Sequence, residues 1–223
     1  MAAAAFFDID HTLIAGDSGM LFMRFLLARG TVRRRDLVRP VFDTLLHRLN
    51  LLDIDGLFDR YADAVCGQTD ADMTALCSEF FAAHVQPAVY PHMVAVLRQH
   101  QERGDVVVLL SSATNYVADP LAQQLGVEHL LVNRLTVRDG RLTGEARRPL
   151  CYGPGKRYWA EHFATEHGVD LAQSYFYADS ASDLPALAVV GHPRAVNPDR
   201  LLRRQAQRHG WPIVVPTDEV PPP

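Results

Sequence analysis

The chain has 223 residues, 48% of them apolar and 22% charged, enough to build one large domain or a core domain carrying a smaller insert. A net charge of −4 argues against a nucleic-acid partner, whose phosphates call for a basic surface. Three cysteines, Cys66, Cys77 and Cys151, have no Cys-x-x-Cys spacing, which points to reduced thiols in a cytoplasmic protein rather than a disulfide framework or a thiolate metal site.

Met1 to Phe7 is apolar but runs straight into Asp8, with no basic n-region and too little length for a signal or a membrane span. The next apolar stretch, Val41 to Leu52, is interrupted by Asp43, His47, Arg48 and Asn50, so no membrane insertion is expected. Arg33, Arg34 and Arg35 read as a solvated helix face. Ala3 to Asp8 reads as a short buried strand. Asp17 or Ser18 caps a helix with apolar positions Leu21, Phe22, Phe25 and Leu26, closed by Gly30. Further helical patterns cover Val32 to Leu49, Asp53 to Val65 and Asp70 to His84, the last opened by Thr69 with Asp72 three residues on.

From Pro87 the pattern alternates. A helix from Pro91 to Arg103 stops at Gly104, and the β-branched and leucine run Val106 to Leu110 reads as a buried parallel strand. A helix follows from Asn115 to Leu125. Leu130 to Val137 and Arg141 to Gly144 flank Asp139-Gly140, a two-residue hairpin signal. Then come a helix from Gly155 to His167, a strand from Tyr175 to Ala178, and a helix from Asp183 to Val190. Arg194 to Val196 is a strand, Pro198 to His209 a helix and Ile213 to Val215 a last strand, before the proline-rich tail Pro216 to Pro223. This alternation predicts an α/β fold: a Rossmann-like doubly wound parallel sheet with an inserted α-helical cap and a small β-hairpin. Residues 1–15 and 87–223 form the expected core and residues 16–86 the expected cap.

In such sheets ligands lie beyond the carboxyl ends of the strands. The first strand ends in Asp8-Ile9-Asp10-His11-Thr12, the second core strand in Ser111-Ser112-Ala113-Thr114-Asn115, and the strand at Tyr175 in Asp179-Ser180-Ala181-Ser182-Asp183. Lys156 follows Gly153-Pro154-Gly155 at a helix start. Carboxylates brought together and buried repel unless a cation compensates, and a hard oxygen-seeking ion such as Mg²⁺ answers that need. Lys156 and Ser112 are then placed to bind the non-bridging oxygens of a phosphoryl group.

Asp8-x-Asp10-x-Thr12, Ser112, Lys156 and Asp179-x-x-x-Asp183 resemble the four motifs of the haloacid dehalogenase superfamily. The helical block after the first motif is similar to that of its phosphoserine-phosphatase-like branch. Tyr177 to Pro185 and Gly191 to Asp199 resemble the subgroup called IB hydrolases. The resemblance implies a Mg²⁺-dependent phosphatase in which Asp8 is the nucleophile and Asp10 the general acid and base. It implies that Asp8, the backbone carbonyl of Asp10 and Asp179 hold the metal, with Asp183 acting mainly through water, while Thr12 and Ser112 hydrogen-bond the site or the phosphate, with Ser111 the competing choice for the second motif. It also offers two cap-side substrate contacts. Asp17 is one, with helix capping as its other reading, and Arg60 is the other. A carboxylate at position 10 implies phosphate-ester chemistry. The expected partner is a small-molecule phosphate ester, phosphoserine-like or histidinol-phosphate-like. Alternatives are a lipid phosphate, or a non-catalytic phosphate-binding scaffold. Oligomeric state is left open.

Overall fold

The computed structural model describes residues 2–31 and 54–216. The helix expected over Val32 to Leu49, the arginine run within it and most of the proline-rich tail lie outside these residues.

The main sheet has six strands in the order β3-β2-β1-β6-β7-β8. They are β1 (Ala4–Phe7), β2 (Val106–Thr114), β3 (His129–Asn133), β6 (Tyr175–Ala178), β7 (His192–Val196) and β8 (Ile213–Val214), and every pairing among them is parallel. The pleat sends alternate side chains to opposite faces. Phe7 and Leu109 therefore join one apolar cluster, and Phe6, Val108 and Leu110 another. Against the first lie Phe25 of α1 (Ser18–Ala28), Met93 and Leu97 of α4 (Pro91–Glu102), and Val117 and Leu121 of α5 (Asn115–Leu125). Against the second lie Trp159 and Phe163 of α6 (Pro154–His167), Leu187 of α7 (Leu184–Leu187) and Leu202 of α8 (Arg200–His209). Both faces are covered, which is why the strands read as unbroken apolar runs.

Two further helices, α2 (Ile54–Ala64) and α3 (Asp70–Phe80), meet the antiparallel hairpin of β4 (Leu135–Arg138) and β5 (Arg141–Ala146). Ala62, Met73 and Cys77 pack there with Tyr116, Leu135 and Leu142. Backbone bonds from Gly67 to Leu142, Leu142 to Gln68 and Asp70 to Gly140 join the hairpin to the segment between these helices.

Several boundaries differ from the sequence reading. The run Leu130 to Val137 is two strands: residues 129–133 form the edge of the main sheet, and the hairpin begins only at Leu135. Asn133 makes the break, because its buried amide is held by the Ser112 carbonyl at 2.8 Å and the Cys151 N–H at 2.7 Å. β2 runs on to Thr114 through an irregularity between Ser111 and Thr114, so Ser112 lies in the strand and not at the helix start. The helix expected over Asp70 to His84 gives way after Phe80 to a wider turn over Phe81–Val85. The helix expected over Asp183 to Val190 shortens to α7 behind a tight turn at Ala181–Asp183.

Candidate active site

β1 lies between β2 and β6, and the chain leaves β1 for β2 before returning to β6. The crevice at the carboxyl ends of β1 and β6 is thus the switch point of the sheet, where open α/β folds bind ligands. Asp8 directly follows β1 and Asp179 directly follows β6.

Oxygens of Asp8, Asp179 and Asp183 all lie within 4.8 Å of one another. The Lys156 ammonium reaches Asp8 Oδ2 at 2.7 Å and Asp183 Oδ1 at 2.8 Å. Asp8, Lys156 and Asp183 are buried. Asp8 Oδ1 also accepts the Ile9 N–H at 2.7 Å, which fixes the rotamer and leaves Oδ2 toward the lysine. Beyond the Lys156 ammonium, neither Asp183 oxygen is satisfied by a hydrogen bond among the described residues despite full burial. Buried acceptors left in this state are what a cation or its waters satisfy.

Loss of hydration, then the charges of Asp8 and Asp183, push the Asp179 carboxyl up to about 9. Burial raises Asp183 to about 7, with Lys156 opposing. Asp10 is pushed up to about 8 by burial first, then by the charges of Asp17 and Asp8. Its oxygens accept the Ser18 N–H at 2.9 Å and the Ser18 hydroxyl at 3.1 Å, so Ser18, offered by the sequence only as a candidate cap of α1, anchors Asp10 instead. Lys156 is held firmly protonated: both aspartates outweigh its own desolvation. One strongly cationic group thus faces three carboxyls, with too little positive charge to ionise them all.

Backbone geometry sets these positions. A Cβ at Gly155 would sit 1.8 Å from the Leu150 carbonyl oxygen, so only glycine lets the first turn of α6 press close enough to deliver Lys156. His11 has φ +53°, and its carbonyl is held by the Asn197 amide at 3.1 Å. The Asp199 N–H donates to the Asp179 carbonyl at 2.8 Å, while the Asp199 carboxylate accepts from Ala181 N and caps α8. In the sequence Asn197 and Asp199 belong only to a stretch that resembles the family; a polar pair just beyond a strand end is the local signal that marks them.

The remaining sequence-derived residues divide. Thr12 is buried, and its hydroxyl has no partner among the described residues. Ser111 is buried and its hydroxyl accepts the Ala113 N–H, whereas Ser112 is exposed. Asp17 caps α1 by accepting the Met20 N–H at 2.8 Å, and its charge acts on Asp10. Arg60 is exposed on α2 and makes no ion pair with a described residue. No helix among the described residues is long and apolar enough to cross a membrane.

A family model described as haloacid dehalogenase-like hydrolase matches residues 5–188. A probable phosphatase of Mycobacterium tuberculosis is 33% identical over 95% of this chain and 74% of its own length. A histidinol-phosphatase of Neisseria meningitidis is 29% identical over 96% of this chain and 99% of its own. Among solved structures, a Bordetella pertussis protein of unknown function superposes with a TM-score of 0.85 at 30% identity, covering 96% of this chain and 98% of that one.

Proposed function

Because the chain belongs to the haloacid dehalogenase-like hydrolase family and is a phosphatase, we propose that it hydrolyses a small phosphomonoester through a phosphoryl group carried on Asp8. The observation that carries this reading is the gathering of Asp8, Asp179, Asp183 and Lys156 at the switch point of the sheet. Asp8 Oδ attacks phosphorus in line, the bond from phosphorus to the ester oxygen breaks, and Asp10 gives its proton to the departing alkoxide. A carboxyl pushed to about 8 still holds that proton at neutral pH, which is what the role requires. Asp10 then takes a proton from water as it attacks the acyl phosphate, releasing inorganic phosphate and restoring Asp8.

Asp8, Asp179 and Asp183, with the backbone carbonyl of Asp10, would hold Mg²⁺, since an all-oxygen donor set suits a hard cation. Bound there, the ion neutralises carboxylate charge and shares that of the phosphoryl oxygens. Lys156 holds Asp8 in one position and meets the phosphoryl oxygens. Thr12 and Ser112 supply hydroxyl donors, Ser112 being the accessible member of its pair. Residues 16–86 serve as a cap over the core formed by 1–15 and 87–223, excluding water and selecting the leaving group. Asp17 is the cap-side acid beside Asp10 and favours a leaving group bearing an amine or imidazolium, as in phosphoserine or histidinol phosphate. Arg60 is the cap residue assigned to a substrate carboxylate. The cytoplasm is the proposed compartment.

The test is a phosphate-ester panel assayed with Mg²⁺, comparing the native chain with Asp8→Asn. The native chain turns over at least one ester and the variant none, at least 10³-fold lower. Retained turnover in Asp8→Asn sinks the mechanism, and an inert native chain sinks the function.

A further inference from the structure

Two of the donors assigned to the phosphoryl group come from separate pieces of chain: Ser112 from the end of β2, and Lys156 from the first turn of α6. β2 leaves its regular ladder at Ser112. Its neighbour β3 matches Ser111 with Val132 and Thr114 with Asn133, so Ser112 and Ala113 stand where β3 has no residue to offer. A bulge of this kind takes backbone groups off the ladder, and side chains must satisfy them. The Ser111 hydroxyl accepts the Ala113 N–H at 3.3 Å, and the Asn133 side-chain amide donates to the Ser112 carbonyl at 2.8 Å. Ser112 stands exposed between Ser111 and Ala113, which are both buried.

The other end of the same amide holds the turn that leads to Lys156. Asn133 Oδ1 accepts the Cys151 N–H at 2.7 Å. Beyond that point the backbone is closely constrained. The Tyr152 N–H donates to the Leu150 carbonyl at 2.8 Å, and the Gly155 N–H to the Tyr152 carbonyl at 2.9 Å. The Leu150 carbonyl also presses on Gly155, where a Cβ would come within 1.8 Å of it. A shift at Cys151 is therefore passed on to Lys156. Asn133 itself is 3% exposed, and turning its amide over would set N–H against N–H and oxygen against oxygen. Its two partners fix it in one orientation.

We propose that Asn133 is a positioning residue of the phosphoryl site. Its amide locks the bulge that presents Ser112 to the turn that delivers Lys156, so that hydroxyl and ammonium meet the same phosphoryl group. Asn133 touches neither substrate nor metal and acts through the two segments it joins. The inference rests on the phosphatase reading given above and adds to it the residue that sets the spacing of two donors.

The test is a double-mutant cycle on the full chain with Mg²⁺ and an ester that the native chain turns over. It compares native protein, Ser112→Ala, Asn133→Leu and the double variant, and leucine is chosen because it leaves little room for a bridging water. Asn133→Leu is expected to lower kcat/KM about 30-fold through misplacement alone. Ser112→Ala should cost about 30-fold in the native background, as for a hydrogen bond to a charged group. On top of Asn133→Leu it should cost no more than about threefold, because a hydroxyl already out of place has little left to lose. A residue that only stabilised the fold would lower the melting midpoint and leave the cost of Ser112→Ala equal in both backgrounds, and that result overturns the proposal. So does Asn133→Leu within about threefold of native, or a cost below about threefold for Ser112→Ala in the native chain. The Cys151 thiol still donates to the Leu131 carbonyl at 3.0 Å and the Trp159 ring N–H to the Pro149 carbonyl at 2.8 Å, so the turn keeps two ties and the variant should fold. If it does not, Asn133→Ala runs the same cycle; if neither folds, the amide serves the fold rather than the site and the proposal falls. A native chain inert toward every ester is a separate failure, which sinks the phosphatase reading and this inference with it. Native turnover with an unchanged Ser112 cost sinks this inference alone.

Discussion

Replacing Lys156 by Met keeps most of the side-chain volume and removes the one ammonium from the carboxylate cluster. The lysine side chain is 3% exposed and its partners Asp8 and Asp183 are 7% and 0% exposed, so water cannot take over its role. Breaking a buried pair by deleting one partner costs about 3–5 kcal/mol. In a chain of this size each kcal/mol moves the midpoint by about 2–4 °C, so the melt should fall by roughly 6–20 °C. The loss depends on pH. Asp183 already stands near 7 in the folded chain against 3.8 for the free side chain, and losing the lysine pushes it higher. For an acid raised on folding, the penalty is absent below the unfolded value and grows as pH climbs toward the folded one. The gap between variant and native chain should therefore be wide near pH 8 and narrow near pH 5. Thermal melts in chelator at both pH values measure it, and Lys156→Met/Asp183→Asn should recover part of the loss. A gap below about 1 kcal/mol at the higher pH, or one that does not shrink on acidification, would refute the view that this lysine balances buried negative charge.

Two further outcomes follow from the same cluster. Asp10, Asp179 and Asp183 are all raised, to about 8, 9 and 7, so the metal-free chain should lose stability as pH rises from about 4 to about 9. Because Mg²⁺ needs the deprotonated carboxylates, its stabilisation should be larger at pH 8 than at pH 5; calorimetry with and without Mg²⁺ reads both, and a gain independent of pH contradicts the assignment. Asp17→Ala removes a negative charge that raises Asp10, so the alkaline limb of the kcat/KM profile should move to lower pH. The same change removes the cap on α1 and costs about 1 kcal/mol in a melt.

The layout of the fold was legible because it rests on short-range signals. Unbroken apolar runs such as Val106 to Leu110 and the glycines closing helices, Gly30 and Gly104, mark strands and helix ends without tertiary information. Errors fell where long-range polar contacts decide the path. Nothing local in Leu130 to Val137 shows that Asn133 will be clamped by Ser112 and Cys151, splitting one apparent strand between two sheets. The residues of the site were legible for a related reason: the carboxyl end of each strand is a place the pattern identifies, Asp8, Asp179 and Asp183 follow such ends, and Lys156 opens a helix behind the Gly153-Pro154-Gly155 turn. Their supports were not. Ser18 meets Asp10 from the next element, Asp199 holds the Asp179 carbonyl from the cap of α8, and the need for glycine at position 155 comes from a carbonyl five residues back. Asp17 shows how one side chain takes on two tasks, capping a helix and charging the neighbourhood of Asp10.

The central claim concerns where phosphorus is bonded midway through the reaction. A turned-over ester should be mixed with the enzyme and Mg²⁺, quenched in acid within milliseconds, and the peptide holding Asp8 weighed by mass spectrometry. The account predicts a peptide heavier by one phosphoryl group, carried on Asp8, formed at least as fast as turnover and absent from Asp8→Asn. Turnover with no phosphorylated peptide, or with the group on another residue, would contradict it.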